Sequence, residues 1–360
     1  MLQLIEDKLM QQNGNAVKYL TVQGIDTATD NTIKKINTQI SSDFGLAGPL
    51  TLSTPSERVH AVRWAVARES FVVETFVKRV NKEIVATCVA QLNQCPYCED
   101  AHGASIMSSG DIQTANMLTS GTWKNLKDEK TKQLIDWSLH TRTPNATIVK
   151  NPPFSREEAP EIIGTALVFH STNRLVNIFL EASPLPNFLT GNRIKKTALK
   201  IAAKTLFKSM ITNSAKAGES LQFIQNYSVS KTLAWPESIP AFAKALAAER
   251  VVLKEIEEEI IPLPLVQLFK NHVNKWQGEA KPLGRTWLNY ILKDVNESDR
   301  HVGRLLFLAA FAPYAITEDD IGNFRKVKPT DTALLEACFW AIQTLTNKIG
   351  EWLIHPFINS

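Results

Sequence analysis

Along most of the chain, apolar residues recur every three or four positions, the spacing that lines one side of an α-helix. Between Glu161 and Leu180 the residues Ile162, Ala166, Phe169, Leu175 and Phe179 fall mostly at such intervals. From 331 to 354, Leu334, Cys338, Ala341, Leu345, Ile349 and Leu353 do the same. Two-residue alternation is scarce, and Val17 to Val22 is the best strand candidate, a minor one. The pattern predicts an all-α protein, a helical bundle. Pro184 and Pro186, then Pro236 and Pro240, are the strongest interruptions. They predict a part spanning 1–186, a connecting segment 187–235 and a second helical part 236–360.

The two helical parts look related. EIVATCVAQLNQC at Glu83 lies over EIIPLPLVQLFKN at Glu259 at an offset of 176, and TNRL at Thr172 over TNKI at Thr346 at an offset of 174. Two blocks at nearly one offset suggest a diverged duplication. In this register Cys95, Cys98 and His102 fall on Asn271, Asn274 and Gly278, so the second part lacks the thiol pair.

Composition narrows the class. With 360 residues, 44% of them hydrophobic, a large core is expected, and a formal net charge of +4 gives no reason to expect nucleic acid as a partner. The basic excess is local. From Ala182 to Gly218 no acidic residue occurs, while Lys196, Lys200, Lys204 and Lys208 share one helical side and Leu199, Ala202, Leu206, Phe207 and Met210 another. A membrane-surface helix would have this form, but a solvated helix packed on the two parts is the simpler expectation, so membrane contact is not expected. The apolar run from Leu305 to Phe311 is too short to span a membrane. MLQLIEDKLM carries no apolar signal segment, and four cysteines do not make a secreted disulfide scaffold. A reducing cytoplasm is the expected compartment.

The candidate chemistry lies in EIVATCVAQLNQCPYCEDAH, residues 83 to 102. Ile84, Val85, Cys88, Val89 and Leu92 make one helical side, with Glu83 near its start. Cys95 precedes a proline and so leaves the helical region, while Pro96 suits the first position of a new helix. Cys95 is then its N-cap, Cys98 its third residue, and His102 one turn beyond. Unpaired N–H groups at a helix start favour a thiolate. Other readings remain open at this point. A closed zinc site needs a fourth ligand that the segment does not supply. Haem attachment needs His directly after the second cysteine, where Glu99 stands. CPYC is also the glutaredoxin motif, but no βαβ pattern surrounds it. Two inert core thiols would not be expected beside Glu83, Glu99, Asp100 and His102.

The spacing Glu83, Cys95, Cys98, His102 resembles the alkylhydroperoxidase D / carboxymuconolactone decarboxylase family. FSREEAPEIIGTALVFHSTNRLVNIF from Phe154 resembles its closing helix, and APYAITEDDIGNFRKVKPTDTALLEACFWA from Ala312 the second half of longer members. The resemblance implies a bundle of repeated helical units, a homo-oligomer, and an antioxidant thiol peroxidase or disulfide reductase needing no metal or other cofactor. Cys98 would attack peroxide, Cys95 would resolve it to a disulfide, and Glu83 would act as base through His102. A small peroxide or disulfide would be the substrate, and a lipoyl group or thioredoxin-like protein the electron donor. Tyr97 departs from the family, whose best-known members have histidine there, and this bears on the strength of any peroxidase activity. The decarboxylase branch usually lacks the thiol pair, which argues against lactone decarboxylation. The alternative is a non-redox oligomer of the same fold that binds a ligand or metal at the thiols. His170 is expected at a subunit contact, Asn173 and Arg174 in structural roles, and Cys88 and Cys338 buried and inert.

Overall fold

The computed structural model describes residues 17–45, 48–181, 215–227, 235–282 and 284–358. Among these the fold is all-α, as the periodicity predicts. Among the described residues the only pairing of extended chain is an isolated antiparallel bridge between Val17 and Leu180, with Lys18 N donating to Phe179 O at 2.8 Å. The strand candidate at 17–22 reduces to that bridge. The basic face around Lys196 to Lys208 lies outside the described residues.

The first half comprises α1 (Asn31–Asp43), α2 (Glu57–Ala67), α3 (Arg79–Leu92), α4 (Pro96–Ser108), α5 (Ile112–Thr119), α6 (Glu129–Leu139) and α7 (Ala159–Phe179). The second comprises α8 (Pro240–Ile260), α9 (Leu263–Lys275), α10 (Thr286–Ile291), α11 (Glu297–Phe311), α12 (Glu318–Val327) and α13 (Asp331–Ile358). Polar side chains start several of them. Asp30 accepts from the backbone of Thr32 and Ile33, Asp128 from that of Thr131, and Thr317 and Asp320 form a reciprocal capping box on α12.

α7 is nearly wholly buried and α13 is buried along most of its first half and on one face beyond it, so they serve as the central rods against which other helices pack. α7 lies against α3 and α13, and α13 also lies against α8 and α11. One hydrophobic core therefore runs through both halves, with Trp64, Phe71, Phe169, Phe242, Phe307 and Trp340 among its members. At Gly164 of α7 a Cβ would stand 2.7 Å from both Phe242 and Ser70 side chains, so only glycine lets these elements approach. Charges join the halves as well. Arg58 of α2 binds Glu336 of α13 through two 2.7 Å bonds, and Ser56 donates to the same carboxylate.

The suggested duplication fares unevenly. TNRL and TNKI both sit inside the long helices α7 and α13. Glu83, however, is buried within α3, whereas Glu259 lies at the exposed end of α8, paired with Arg58 at 2.9 Å. Ile261 and Pro262 then break the chain before α9. The offset of 176 therefore does not pair equivalent elements; shared helical periodicity is enough to produce the match.

After α2 the helix widens into a π turn, Arg68–Val72, a feature often found at functional sites. The chain that returns at 215–227 is fastened to this turn. Glu69 accepts from Gly218 N at 2.8 Å and Ser220 Oγ at 2.6 Å, while Arg68 reaches Glu219 at 2.8 Å.

Candidate active site

The segment 92–98 links α3 to α4 through a tight reversal. α3 ends at Leu92, Asn93 caps it, and Gln94 takes a left-handed conformation with φ 52°. Cys95 N then donates to Ala90 O at 2.9 Å and Gln94 N to Gln91 O at 3.1 Å. This is the Schellman pattern, with glutamine at the position where glycine is usual. Left-handed backbone is costly for a residue with a Cβ, so the turn must be held from outside. Asn177 Nδ2 donates to the carbonyls of both Asn93 and Gln94 at 3.3 Å, and Arg142 Nη1 to Leu92 O at 3.4 Å.

His170 completes the clamp. Its Nδ1 lies 3.1 Å from Asn93 Nδ2 and its Nε2 2.9 Å from Thr141 Oγ1. Thr141 donates its own hydrogen to Ser138 O, so Nε2 carries the imidazole proton and Nδ1 accepts from Asn93. Burial, then Arg174 and Arg142, push the His170 pKa well down and keep the ring neutral. His170 is therefore not a subunit-contact residue: it is fully buried within the chain and supports the turn before Cys95. Arg174 donates to the carbonyls of Ala310 and His170, the structural role expected of it.

α4 begins as expected, with Cys95 at its N-cap, Pro96 first, Cys98 third and His102 four residues beyond Cys98. Burial differs from expectation. Cys95 is 1% exposed and Cys98 2% exposed, both within the main core. Burial pushes the Cys98 thiol well up, and the neighbouring Cys95 thiol, close enough to act on it, adds to the rise. The direction is opposite to the lowered pKa expected at a helix start, because desolvation outweighs the helix-start effect. Tyr97, also buried, has its hydroxyl pKa raised by burial and then by the two cysteines. Cys88 and Cys338 are fully buried thiols raised by the same effect, as expected of inert residues.

Glu83 and His102 meet. His102 Nδ1 lies 2.6 Å from Glu83 Oε2, and Arg79 Nε donates to Glu83 Oε1 at 2.9 Å. Burial alone would raise the Glu83 carboxyl, but Arg79 and His102 hold it below the usual carboxylate range. An ionised carboxylate only accepts, so His102 Nδ1 bears the hydrogen. In the neutral ring Nε2 is then the atom left to take a proton. Aromatic rings enclose the pair. Phe169 stands edge-on to His102 at 4.4 Å and Phe71 at 5.7 Å, and the Arg79 guanidinium lies 3.9 Å over Phe71. The π turn is what delivers Phe71.

The structure thus assembles two adjoining pairs, Cys95 with Cys98 and Glu83 with His102. Among the described residues no hydrogen bond joins a sulfur to His102 or Glu83. Cys98 and His102 are one helical turn apart, where Cβ atoms lie about 5–6 Å from each other. Among the described residues, too, no group of three His, Cys, Asp or Glu side chains is placed to hold a metal ion.

A second buried pair braces the site. Lys82 of α3 bonds Glu161 of α7 and the Val73 carbonyl, while Glu161 also accepts from the backbone N–H groups of Thr75, Phe76 and Val77. Burial pushes Lys82 down to about 8 against the pull of Glu161. Sequence reasoning missed Arg79, Asn93, Thr141, Asn177 and the Lys82–Glu161 pair. Only Arg79, four residues before Glu83, left a readable signal.

The chain is 29% identical over 322 residues to a Mycobacterium tuberculosis protein named alkyl hydroperoxide reductase, covering 89% of this chain and 90% of that one. No family model matches the sequence, and no solved structure matches it. No described helix is long and apolar enough to cross a membrane.

Proposed function

We propose that the chain is a cysteine-dependent peroxidase of the alkylhydroperoxidase D type that reduces small organic hydroperoxides. The observation that carries this reading is the joining of Cys95 and Cys98 at a helix start with a buried Glu83–His102 pair one turn away. The similarity to a protein named alkyl hydroperoxide reductase supports peroxide as the substrate.

The thiolate of Cys98 attacks the distal peroxide oxygen, giving a sulfenic acid and an alkoxide that takes up a proton to leave as the alcohol. The Cys95 thiol then condenses with the sulfenic acid, releasing water and forming a Cys95–Cys98 disulfide. An external dithiol, a lipoyl group or a thioredoxin-like protein, returns both sulfurs to thiols and is itself oxidised. His102 Nε2 takes the Cys98 proton across the one-turn gap, through a water or by a turn of the ring, and hands it to the alkoxide. Glu83 orients His102 and stabilises the imidazolium; doubly bonded and held in its ionised form, it is a poor proton acceptor.

Because both sulfurs are buried, reaction requires a local opening that hydrates them, and only then does the helix start favour the thiolate. The first half, 1–186, carries the chemistry, the second, 236–360, packs against α2 and α7 of the first, and the protein works as a homo-oligomer. Intact-mass measurement after one equivalent of cumene hydroperoxide tests the reading. The expected result is loss of two hydrogens, mapped to Cys95 and Cys98 and reversed by dithiothreitol. Unchanged mass in a folded, fully reduced sample would refute it.

A further inference from the structure

Between the two halves lies a half-open cleft of about 530 Å³, counting space that opens to solvent. One wall is the Leu92–Gln94 turn; the others come from Arg142, Arg174 and the second half. Its charges do not balance. Arg142, Arg174 and Lys281 line it, and Glu279 is the one carboxylate among the lining residues. That side chain is 56% exposed; it accepts from Gln277 N at 2.9 Å and lies 3.8 Å from Lys281. Arg174, 5% exposed, forms no salt bridge among the described residues. Buried guanidinium groups are normally paired, because an uncompensated charge in the interior is costly.

The cations are also fixed with donors to spare. Arg174 gives Nε to Ala310 O and Nη1 to His170 O, leaving Nη2 without a partner among the described residues. Arg142 gives Nη1 to Leu92 O and Nη2 to Gly278 O at 3.1 Å, and its buried Nε has no partner. Gly278 makes that contact possible: its φ is 96°, and a Cβ there would stand 1.7 Å from the Arg142 carbonyl oxygen. Lys281 Nζ donates to His272 Nε2 at 2.9 Å and lies 4.9 Å from the Phe311 ring centre. His272 is pushed down to about 4 by burial and then by Lys281, and so stays neutral as the acceptor. Trp276, Phe311 and Tyr314 supply aromatic walls, with Arg142 lying 5.8 Å from the Trp276 ring centre.

We propose that this cleft binds a small organic carboxylate, its charged end held by Arg174, Arg142 and Lys281 and its apolar body laid against Trp276, Phe311 and Tyr314. Three preset cations supply the counter-charge for an anion, and little side-chain freedom remains to be lost on binding. The rings distinguish an organic anion from an inorganic one. The cleft shares the Leu92–Gln94 turn with the thiols, but its test reads ligand binding and not thiol oxidation, so either reading can fail without the other.

Calorimetric titration of the full chain with benzoate, benzamide and inorganic phosphate tests this. Benzoate should bind saturably at one site. Benzamide, the same shape without the charge, and phosphate, an anion without the ring, should bind far more weakly. Lys281→Gln should weaken benzoate about ten-fold, the loss of one charge-assisted bond, and Arg142→Gln by at least as much. Lys281→Gln removes no bond that holds the Leu92–Gln94 turn and keeps the experiment decisive if Arg142→Gln fails to fold. The proposal is overturned by no saturable benzoate binding up to about 20 mM, by equal binding of benzamide or phosphate, or by undiminished affinity in the folded variants.

Discussion

Replacing Glu83 with glutamine keeps the shape of the side chain and removes its charge, which makes it the sharpest probe of the acid–imidazole pair. The carboxylate is fully buried and accepts from Arg79 Nε at 2.9 Å and His102 Nδ1 at 2.6 Å. An amide can accept through its oxygen from one of these donors, but its NH₂ then faces the other. Arg79 is 3% exposed and its Nη2 already lacks a partner, so its charge would be left buried and uncompensated. Breaking a buried ion pair from one side costs about 3–5 kcal/mol, a large part of the roughly 5–15 kcal/mol that holds a typical domain together. Urea unfolding followed by circular dichroism should show that loss at pH 7. The sign with pH follows from the depressed carboxyl. Its contribution is complete above the ordinary value of 4.5 and is lost as pH falls through the lower folded value, so the gap between the two proteins should close in acid. A second variant separates charge from packing: Arg79→Met with Glu83→Gln removes both ions and should recover much of the loss. In parallel, the rate of Cys98 oxidation by peroxide should fall about 10²-fold or more as His102 loses its orienting partner. A loss below about 1 kcal/mol together with an unchanged oxidation rate would refute the roles given to Glu83 and His102.

Cys98→Ser should abolish peroxide turnover, whereas Cys95→Ser should leave a sulfenic acid on Cys98 that dimedone traps; equal turnover of both variants and the native chain would reverse the assignment. Glu249, buried and pushed up to about 8 by burial despite Arg63 and Gln343, should lower stability as pH rises from 4.5 towards 8, because the unfolded carboxyl ionises first. Glu249→Gln should therefore raise the urea midpoint at pH 8, with a ceiling of about 5 kcal/mol, and show no advantage near pH 4. Gln94→Gly should relieve the left-handed residue before Cys95 and raise the melting temperature, by roughly 1 kcal/mol in stability, without loss of peroxide reactivity.

Much of this was legible in the sequence because it depends on local order. Helical periodicity fixed the class, and the proline after Cys95 placed a helix start so that Cys95, Cys98 and His102 fell in the register observed. Glu83 was matched to them through the resemblance of the four-residue pattern to a known family, and the fold brings its carboxylate within 2.6 Å of His102. The same local reading misled at offset 176, where helical pattern imitated homology.

What only the tertiary structure decided is the environment of those residues. Whether a thiol at a helix start is a thiolate depends on water, and water is excluded here by packing around α3, α4 and α7 that brings distant residues together. Phe71 and Phe169 reach His102 from a π turn and from a helix 67 residues further on than His102. The turn at Gln94 is held by Asn177 and His170, more than 70 residues away in the chain. The cleft of three cations exists only because the segment 276–281 and the end of α11 in the second half close against Arg142 and Arg174 of the first. Desolvation and charge pairing are properties of the folded neighbourhood, so spacing along the chain can nominate such groups but cannot assign their protonation or their partners.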